Sequence, residues 1–196
     1  EGGWLSAKEA LDWGFVDELT EFSMSTAQHP NRALSFAGAL ALLAHLAARR
    51  FVGPNDTYPN LYIVALADSG VGKEWPRKVN RKIAHAEGVE VTVQGDISSG
   101  QGLEDALART PALLLQIDEF DTLLNVLKDD RSSKSATETI WKMLLSAYSS
   151  SGSTYNKRIK AESARGGGGE VIYSPSLSVF ATAIPSKFYA ALCERA

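Results

Sequence analysis

Hydrophobic residues change their spacing near residue 60. Before that point, apolar positions recur at helical spacing, and the longest such stretch predicts a helix over residues 30–50. After it, short apolar runs alternate with amphipathic stretches, at residues 60–67, 89–93, 112–117 and 176–181. Short, nearly continuous apolar runs are typical of strands buried on both faces. The alternation therefore predicts an α/β fold, a three-layer sandwich with a mainly parallel central sheet.

Residues 1–28 differ from this pattern and are predicted to form a helical N-terminal appendage and linker. Ser6 and Glu9 have the spacing of a capping box, which predicts a helix that ends at Gly14. Residues 15–19 are predicted to be extended, and the polar segment 23–31 to be a linker. Residues 29–196 are then predicted to form the core domain.

A glycine-rich turn follows the first predicted strand and leads into a helix. Gly70 and Gly72 can adopt dihedral angles that bring backbone N–H groups close to phosphates. The helix N-terminus adds partial positive charge, and Lys73 adds a full charge. This order is typical of a P-loop, so we predict an ATP site formed by Asp68, Ser69, Gly70, Val71, Gly72, Lys73 and Glu74.

Two residues depart from the P-loop pattern. Ala67 replaces its first glycine, and Glu74 replaces the Ser or Thr that ligates Mg²⁺. The Glu74 carboxylate could hold a cation directly or through water, but it would also repel phosphate oxygens. The alternative interpretation is a loop that contains two glycines and a surface lysine.

Two carboxylates follow the apolar run 112–117. Asp118 is predicted to hold Mg²⁺, and Glu119 to act as the base that polarises the attacking water. Such pairs lie at the carboxyl ends of parallel strands, where α/β sheets bind ligands. Thr182, at the end of the last apolar run, is predicted to sense the terminal phosphate or the attacking water. The alternatives are an acidic turn after a strand and an ordinary threonine at a strand end.

From about residue 30 onwards, the chain resembles P-loop ATPase domains of unknown function from phages, plasmids and integrated elements. These domains are helicase-like and are often encoded with primases. The resemblance is carried by the segments 34–49, 59–62, 72–78, 98–100, 117–120 and 182–185. An acidic residue after the lysine recurs in that group, which makes Glu74 compatible with a working site.

The resemblance implies an AAA+ or RecA-like fold and an ATPase that acts on single- or double-stranded DNA as a ring-shaped homo-oligomer. It also implies an arginine finger beyond Ala196, so we expect the core to be truncated at its C-terminus. Separately, residues 4–19 resemble the C-terminal segment of Clp-type serine peptidases. That segment carries no catalytic triad, and a capped amphipathic helix explains it equally well, so no peptidase function follows.

Basic residues cluster in two places. Arg77, Arg81 and His85, in the helix after the P-loop, are spaced to share one face, which could contact DNA or a neighbouring subunit but is better interpreted as solvated. The second cluster lies in the polar stretch 152–170, where related hexameric helicases have a basic hairpin. We predict nucleic-acid contacts there, with a disordered loop as the alternative, by Lys157, Arg158 and Lys160.

Composition narrows the range of functions. The chain has 196 residues, 44% of them hydrophobic, and a net charge of −3, which suits one core domain and excludes a wholly basic nucleic-acid coat. Its one cysteine rules out an internal disulfide and fits a cytoplasmic location. The apolar run 33–48 is shorter than a bilayer span, so no membrane partner is expected. Two functions remain open: an ATP-driven motor or loader on DNA, and a nucleotide-binding scaffold with little turnover.

Overall fold

A computed structural model describes residues 14–126, 134–157 and 170–193. The helices in these ranges are α1 Phe15–Thr26, α2 Arg32–Ala47, α3 Glu74–Ala86, α4 Gly100–Arg109, α5 Phe120–Val126, α6 Lys134–Ser149 and α7 Pro185–Cys193. The strands are β1 Tyr62–Leu66, β2 Val93–Gln94, β3 Ala112–Ile117, β4 Thr154–Asn156, β5 Val171–Tyr173 and β6 Ser176–Ala183. Short 3₁₀ turns lie at Pro54–Asp56 and Glu90–Thr92.

The central sheet of the described chain has four strands in the order β1-β6-β3-β2, and all neighbours are parallel. The last of the described strands, β6, therefore lies between β1 and β3. Ala181 of β6 pairs with Val64 on one side and with Ile117 on the other. The predicted α/β fold with a parallel central sheet is confirmed at this level.

Helices cover both faces of the sheet. Successive strand residues point to opposite faces, so Leu113 and Leu115 pack with α4 and α6, whereas Leu114 packs with the α1–α3 side. Phe180 and Leu42 are almost completely buried in this second cluster. The two clusters, separated by the sheet, are consistent with a three-layer sandwich.

Local side-chain caps fix where two of these helices begin. The Asn31 side chain accepts a hydrogen bond from the Leu34 N–H at 3.1 Å, at the start of α2. Ser99 does the same for the Gly102 N–H at 3.0 Å, at the start of α4. The helix predicted to open at residues 98–100 is therefore confirmed, and its cap supplies the physical reason.

The segment before α2 is more regular than the sequence predicts. The prediction of an extended piece at residues 15–19 and of a linker from residue 23 is wrong, because α1 is helical through Thr26. Its regularity comes from tertiary packing: Leu19 is buried in the α1–α3 cluster, and Ser23 donates to the Ser35 hydroxyl at 2.9 Å. Residues 1–13, which include the predicted capped helix and most of the peptidase-like segment, lie outside the described residues. The boundary between residues 28 and 29 stays a prediction.

Two further predictions need adjustment. The strand predicted at residues 89–93 is mostly a 3₁₀ turn, because the Thr92 N–H and hydroxyl both bond to the Val89 carbonyl, at 2.9 and 2.7 Å. The polar stretch 152–170 contains β4, which pairs with β5 as an antiparallel hairpin. Among the described helices, none combines the length and apolarity needed to cross a bilayer.

Candidate functional site

The carboxyl ends of β1, β3 and β6 meet at one edge of the sheet, where Leu66 pairs with Ala183. A cleft of about 400 Å³ opens at this edge. Because the strands are parallel, the residues that follow them converge there despite their separation in sequence. The predicted site residues that line the cleft are Ser69, Gly70, Gly72, Lys73, Glu74, Asp118 and Glu119.

The glycine turn has the backbone that the sequence predicts. Gly70 and Gly72 have φ angles of 80° and 83°, in the left-handed region that favours glycine. The Trp75 N–H donates to the Gly72 carbonyl at 3.1 Å, and α3 begins at Glu74. The N-terminus of α3, where helix N–H groups lack internal partners, thus lies at the cleft next to Lys73.

The remaining predicted residues of this turn do not line the cleft. Asp68 is exposed and Val71 is half-buried in the connection between β1 and α3. Their predicted contacts with a nucleotide stay predictions.

The connection between α1 and α2 forms a wall of the cleft that sequence reasoning missed. Gln28 and His29 line the cleft, and a Cβ atom placed on Gly72 would collide with the His29 carbonyl oxygen. The Trp75 indole N–H donates to the Thr26 hydroxyl at 3.2 Å. Position 72 therefore needs glycine for two reasons, its dihedral angles and this close approach. The sequence shows only that the turn is glycine-rich.

Asp118 is held by three donors. Its Oδ1 accepts from the Thr182 hydroxyl at 2.9 Å and from the Glu119 N–H at 3.0 Å. Its Oδ2 lies 2.6 Å from Nη2 of Arg77. Burial alone would raise the pKa of Asp118, but the hydrogen bonds from Arg77 and Thr182 outweigh burial and lower the pKa below its usual value. The carboxylate is therefore ionised and fixed in orientation.

Thr182 lies behind Asp118 rather than on the surface of the cleft. Thr182 is fully buried, and its hydroxyl donates to the Asp118 carboxylate. In this arrangement Thr182 can position Asp118, while the predicted contact with a phosphate or a water stays a prediction.

Glu119 has an unusual backbone for its residue type. Its φ angle is 47°, a region that non-glycine residues seldom adopt, and its side chain is exposed at the cleft. The Glu119 carbonyl accepts the Thr122 N–H at 2.8 Å, at the start of α5. Strained residues of this kind occur most often at functional sites.

The prediction that Arg77 lies on a solvated basic face of α3 is wrong. Arg81 and His85 are exposed, but Arg77 is buried and paired with Asp118. The reason is that Arg77 lies at the border of the buried side of α3, which includes Val79 and Asn80, whereas Arg81 and His85 lie farther around the helix. The sequence shows the helical spacing of these cations but not which of them meets a carboxylate.

The geometry bears on the predicted Mg²⁺ ligands Asp118 and Glu74. Both Asp118 oxygens already accept donors, and the exposed Glu74 carboxylate is paired with Lys78 at 2.7 Å, which lowers the pKa of Glu74. In the described part of the chain, no group of three His, Cys, Asp or Glu side chains is arranged to hold a metal. This arrangement does not fit a cation bound directly to Asp118, and the magnesium site stays a prediction.

Lys157, the described member of the second predicted site, has its charge compensated. Lys157 forms ion pairs with Asp105 at 2.8 Å and with Glu170 at 2.9 Å, and hydrogen bonding to these carboxylates raises the pKa of Lys157. The Tyr155 hydroxyl donates to the buried Glu104 carboxylate at 2.7 Å. These contacts anchor the hairpin on α4. Arg158 and Lys160 lie outside the described residues.

Comparisons of the chain with models of known families, with curated proteins and with solved structures find no match. The function is therefore inferred from the geometry of the cleft and from the sequence.

Proposed function

We propose that the cleft binds ATP and that the chain is a P-loop ATPase domain. The observation that carries this proposal is the convergence of Lys73, the glycine turn and the pair Asp118–Glu119 on one cleft at the carboxyl edge of a parallel sheet. A lysine beside a helix N-terminus suits the terminal phosphates. Glu119, exposed across the same cleft, suits the polarisation of an attacking water.

The strand order supports the proposal. In additional-strand ATPases, a strand lies between the P-loop strand and the acidic strand, and a polar sensor residue stands at its end. In this chain β6 lies between β1 and β3, and Thr182 in β6 contacts Asp118 after β3.

We further propose that the domain serves a replication or helicase-like protein of a mobile element and acts on DNA as a ring. This part rests on the sequence resemblance and on the β4–β5 hairpin, which lies where related helicases carry a basic hairpin. The partners and the oligomeric state are proposed on the same basis.

Nucleotide binding is tested with a fluorescent ATP analogue. Lys73→Ala removes a charge-assisted contact, which is expected to weaken binding about 30-fold or more. The matched control is Lys142→Ala, which removes an exposed lysine from α6, on the opposite side of the sheet. Equal affinity of wild type and Lys73→Ala would count against the cleft as a phosphate site.

Turnover is tested by phosphate release with and without single-stranded DNA. Glu119→Gln is expected to retain ATP binding and to lose most hydrolysis, because the amide cannot accept a proton from water. Loss of binding rather than of turnover in this variant would assign Glu119 a structural role instead.

The second candidate function is a nucleotide-binding scaffold with weak or no turnover. The ion pair between Arg77 and Asp118 favours it, since it occupies the carboxylate expected to serve the metal. ATP binding by the wild type without phosphate release, with or without DNA, would select this candidate.

A further inference from the structure

A buried cation lies directly beside the acidic end of β3. Arg77 is 9% exposed, and its Nη2 is 2.6 Å from Oδ2 of Asp118. Its Nε is buried without a hydrogen-bond partner among the described atoms. A guanidinium cannot lose its proton in a protein, so this positive charge is permanent.

A chain of buried amides holds this part of α3 against the sheet. The Gln116 side chain donates to the Arg77 carbonyl at 3.3 Å and accepts from Asn80 at 3.3 Å. Asn80 also donates to the Gly38 carbonyl of α2 at 3.1 Å. Because α2, α3 and β3 are joined here, the backbone of Arg77 is fixed next to Asp118.

The charges of the cleft balance only when Arg77 is included. The P-loop pattern has a neutral hydroxyl at position 74, where this chain has a carboxylate. Glu74 therefore adds a negative charge to those of Asp118 and Glu119, and the two lysines that line the cleft, Lys73 and Lys78, offset two of the three. Arg77 supplies the third positive charge, and its field lowers the pKa of Glu74, although less than Lys78 does.

We propose that Arg77 is the resident cation of this site: it neutralises Asp118 in place of a directly bound divalent metal. A metal at the Asp118 carboxylate has to displace a buried guanidinium that has no other acceptor among the described residues. The part of the inference that concerns polyphosphate rests on the proposed function. The competition between Arg77 and a metal does not, and it is measured without nucleotide.

The test measures binding of Mn²⁺ alone by electron paramagnetic resonance. Wild type is expected to bind Mn²⁺ weakly, and Arg77→Gln to bind it about tenfold more tightly, because an uncompensated carboxylate attracts a cation. Adding Asp118→Asn to Arg77→Gln should abolish the gain. Arg81→Gln, which removes an exposed arginine from the same helix, should leave Mn²⁺ affinity unchanged.

Two results would overturn the proposal. One is a folded Arg77→Gln variant whose Mn²⁺ affinity equals that of wild type. The other is tight Mn²⁺ binding by wild type that Asp118→Asn removes. This second comparison decides the question even if Arg77→Gln does not fold. Arg77→Lys, which keeps the charge, should behave like wild type.

A measurement with nucleotide separates this inference from the proposed function. With Arg77 in place, chelation of divalent metal is expected to change the affinity for the fluorescent ATP analogue by less than about threefold, and in Arg77→Gln by about tenfold. Absence of ATP binding under both conditions would count against the proposed function and leave the Mn²⁺ result intact.

Discussion

Lys73 and Lys157, two lysines that the sequence assigns to ligand binding, lie in different electrostatic surroundings. Lys73 lines an open cleft, and none of the described carboxylates is paired with it. Lys157 is held between Asp105 and Glu170, and its side chain is 16% exposed. The difference indicates that a lysine is available to bind an anion only where the fold has not already supplied its counter-ion.

The two regions also differ in what supports them. The cleft depends on backbone features, a turn of left-handed glycines that is pressed against the α1–α2 connection. The hairpin depends on side-chain contacts between β4 and α4. Changes to backbone packing should therefore affect the cleft, and changes to charge should affect the hairpin.

The largest expected effect is a loss of stability at low pH, which arises in the helices beside the cleft. His45 of α2 forms a hydrogen bond through Nε2 with the Thr92 hydroxyl at 2.8 Å, and its Nδ1 is buried without a partner among the described atoms. Burial, with a smaller contribution from Arg50, lowers the pKa of His45 from 6.5 to about 4. Below about pH 6.5, His45 therefore binds a proton in the unfolded chain, whereas in the folded chain it stays neutral until the pH approaches 4. Stability should be greatest above that pH and should fall by about 3 kcal/mol as the pH approaches 4.

Urea unfolding at pH 7 and at pH 4.5 measures this effect. His45→Gln should flatten the pH dependence, whereas the control His85→Gln, at an exposed position of α3, should retain it. Lys157 keeps its charge over this range because the pKa of a lysine lies far above pH 7 and that of Lys157 is raised further, so the hairpin should not share the effect through that residue. An unchanged slope in His45→Gln would contradict the assignment.

A smaller effect is expected from adding a side chain to the glycine turn where it contacts the α1–α2 connection. Gly72→Ala and Gly70→Ala impose similar dihedral strain, since both φ angles are positive. Only the new Cβ at position 72 meets the His29 carbonyl, while position 70 is open. Thermal unfolding should show Gly72→Ala to be about 2 kcal/mol less stable than Gly70→Ala. Equal stabilities would mean that the connection does not press on the turn.

The smallest effect concerns the hairpin anchor. Lys157→Met removes the ion pair between Lys157 and Asp105 and should lower stability by about 1 kcal/mol, with the loss decreasing at high salt. The matched control is Lys142→Met, whose pair with Glu138 is exposed on both sides and spans 4.0 Å, so its loss should be smaller. If both variants lose the same stability, the hairpin pair is no stronger than an ordinary surface pair. If DNA affinity falls in Lys157→Met although the fold is intact, Lys157 leaves its carboxylates to bind DNA.

The sequence predicts those features of the site that depend on short-range chemistry. The apolar runs located β3 and β6, the glycines located the turn, and Ser99 located the start of α4. Asp118 and Glu119 could be placed at the edge of the sheet because parallel strands end together. These inferences need only the residues of a single segment and the rules of α/β folds.

The features that the sequence did not predict depend on how separate segments pack. The pairing of Arg77 with Asp118 depends on the rotation of α3 over β3. The place of His29 against Gly72 depends on how α1 docks on α2. Neither contact changes hydrophobic periodicity, and Arg77 fits a solvated helical face equally well by spacing alone.

The left-handed backbone of Glu119 affects how the stability of this chain can be increased. An L-residue held at a φ of 47° costs the folded state on the order of 1 kcal/mol, and asparagine or glycine tolerates that geometry better. Selection for heat resistance alone would thus favour replacement of Glu119, removing the carboxylate from the cleft. Thermostability and the proposed turnover would then evolve in opposite directions at this one position.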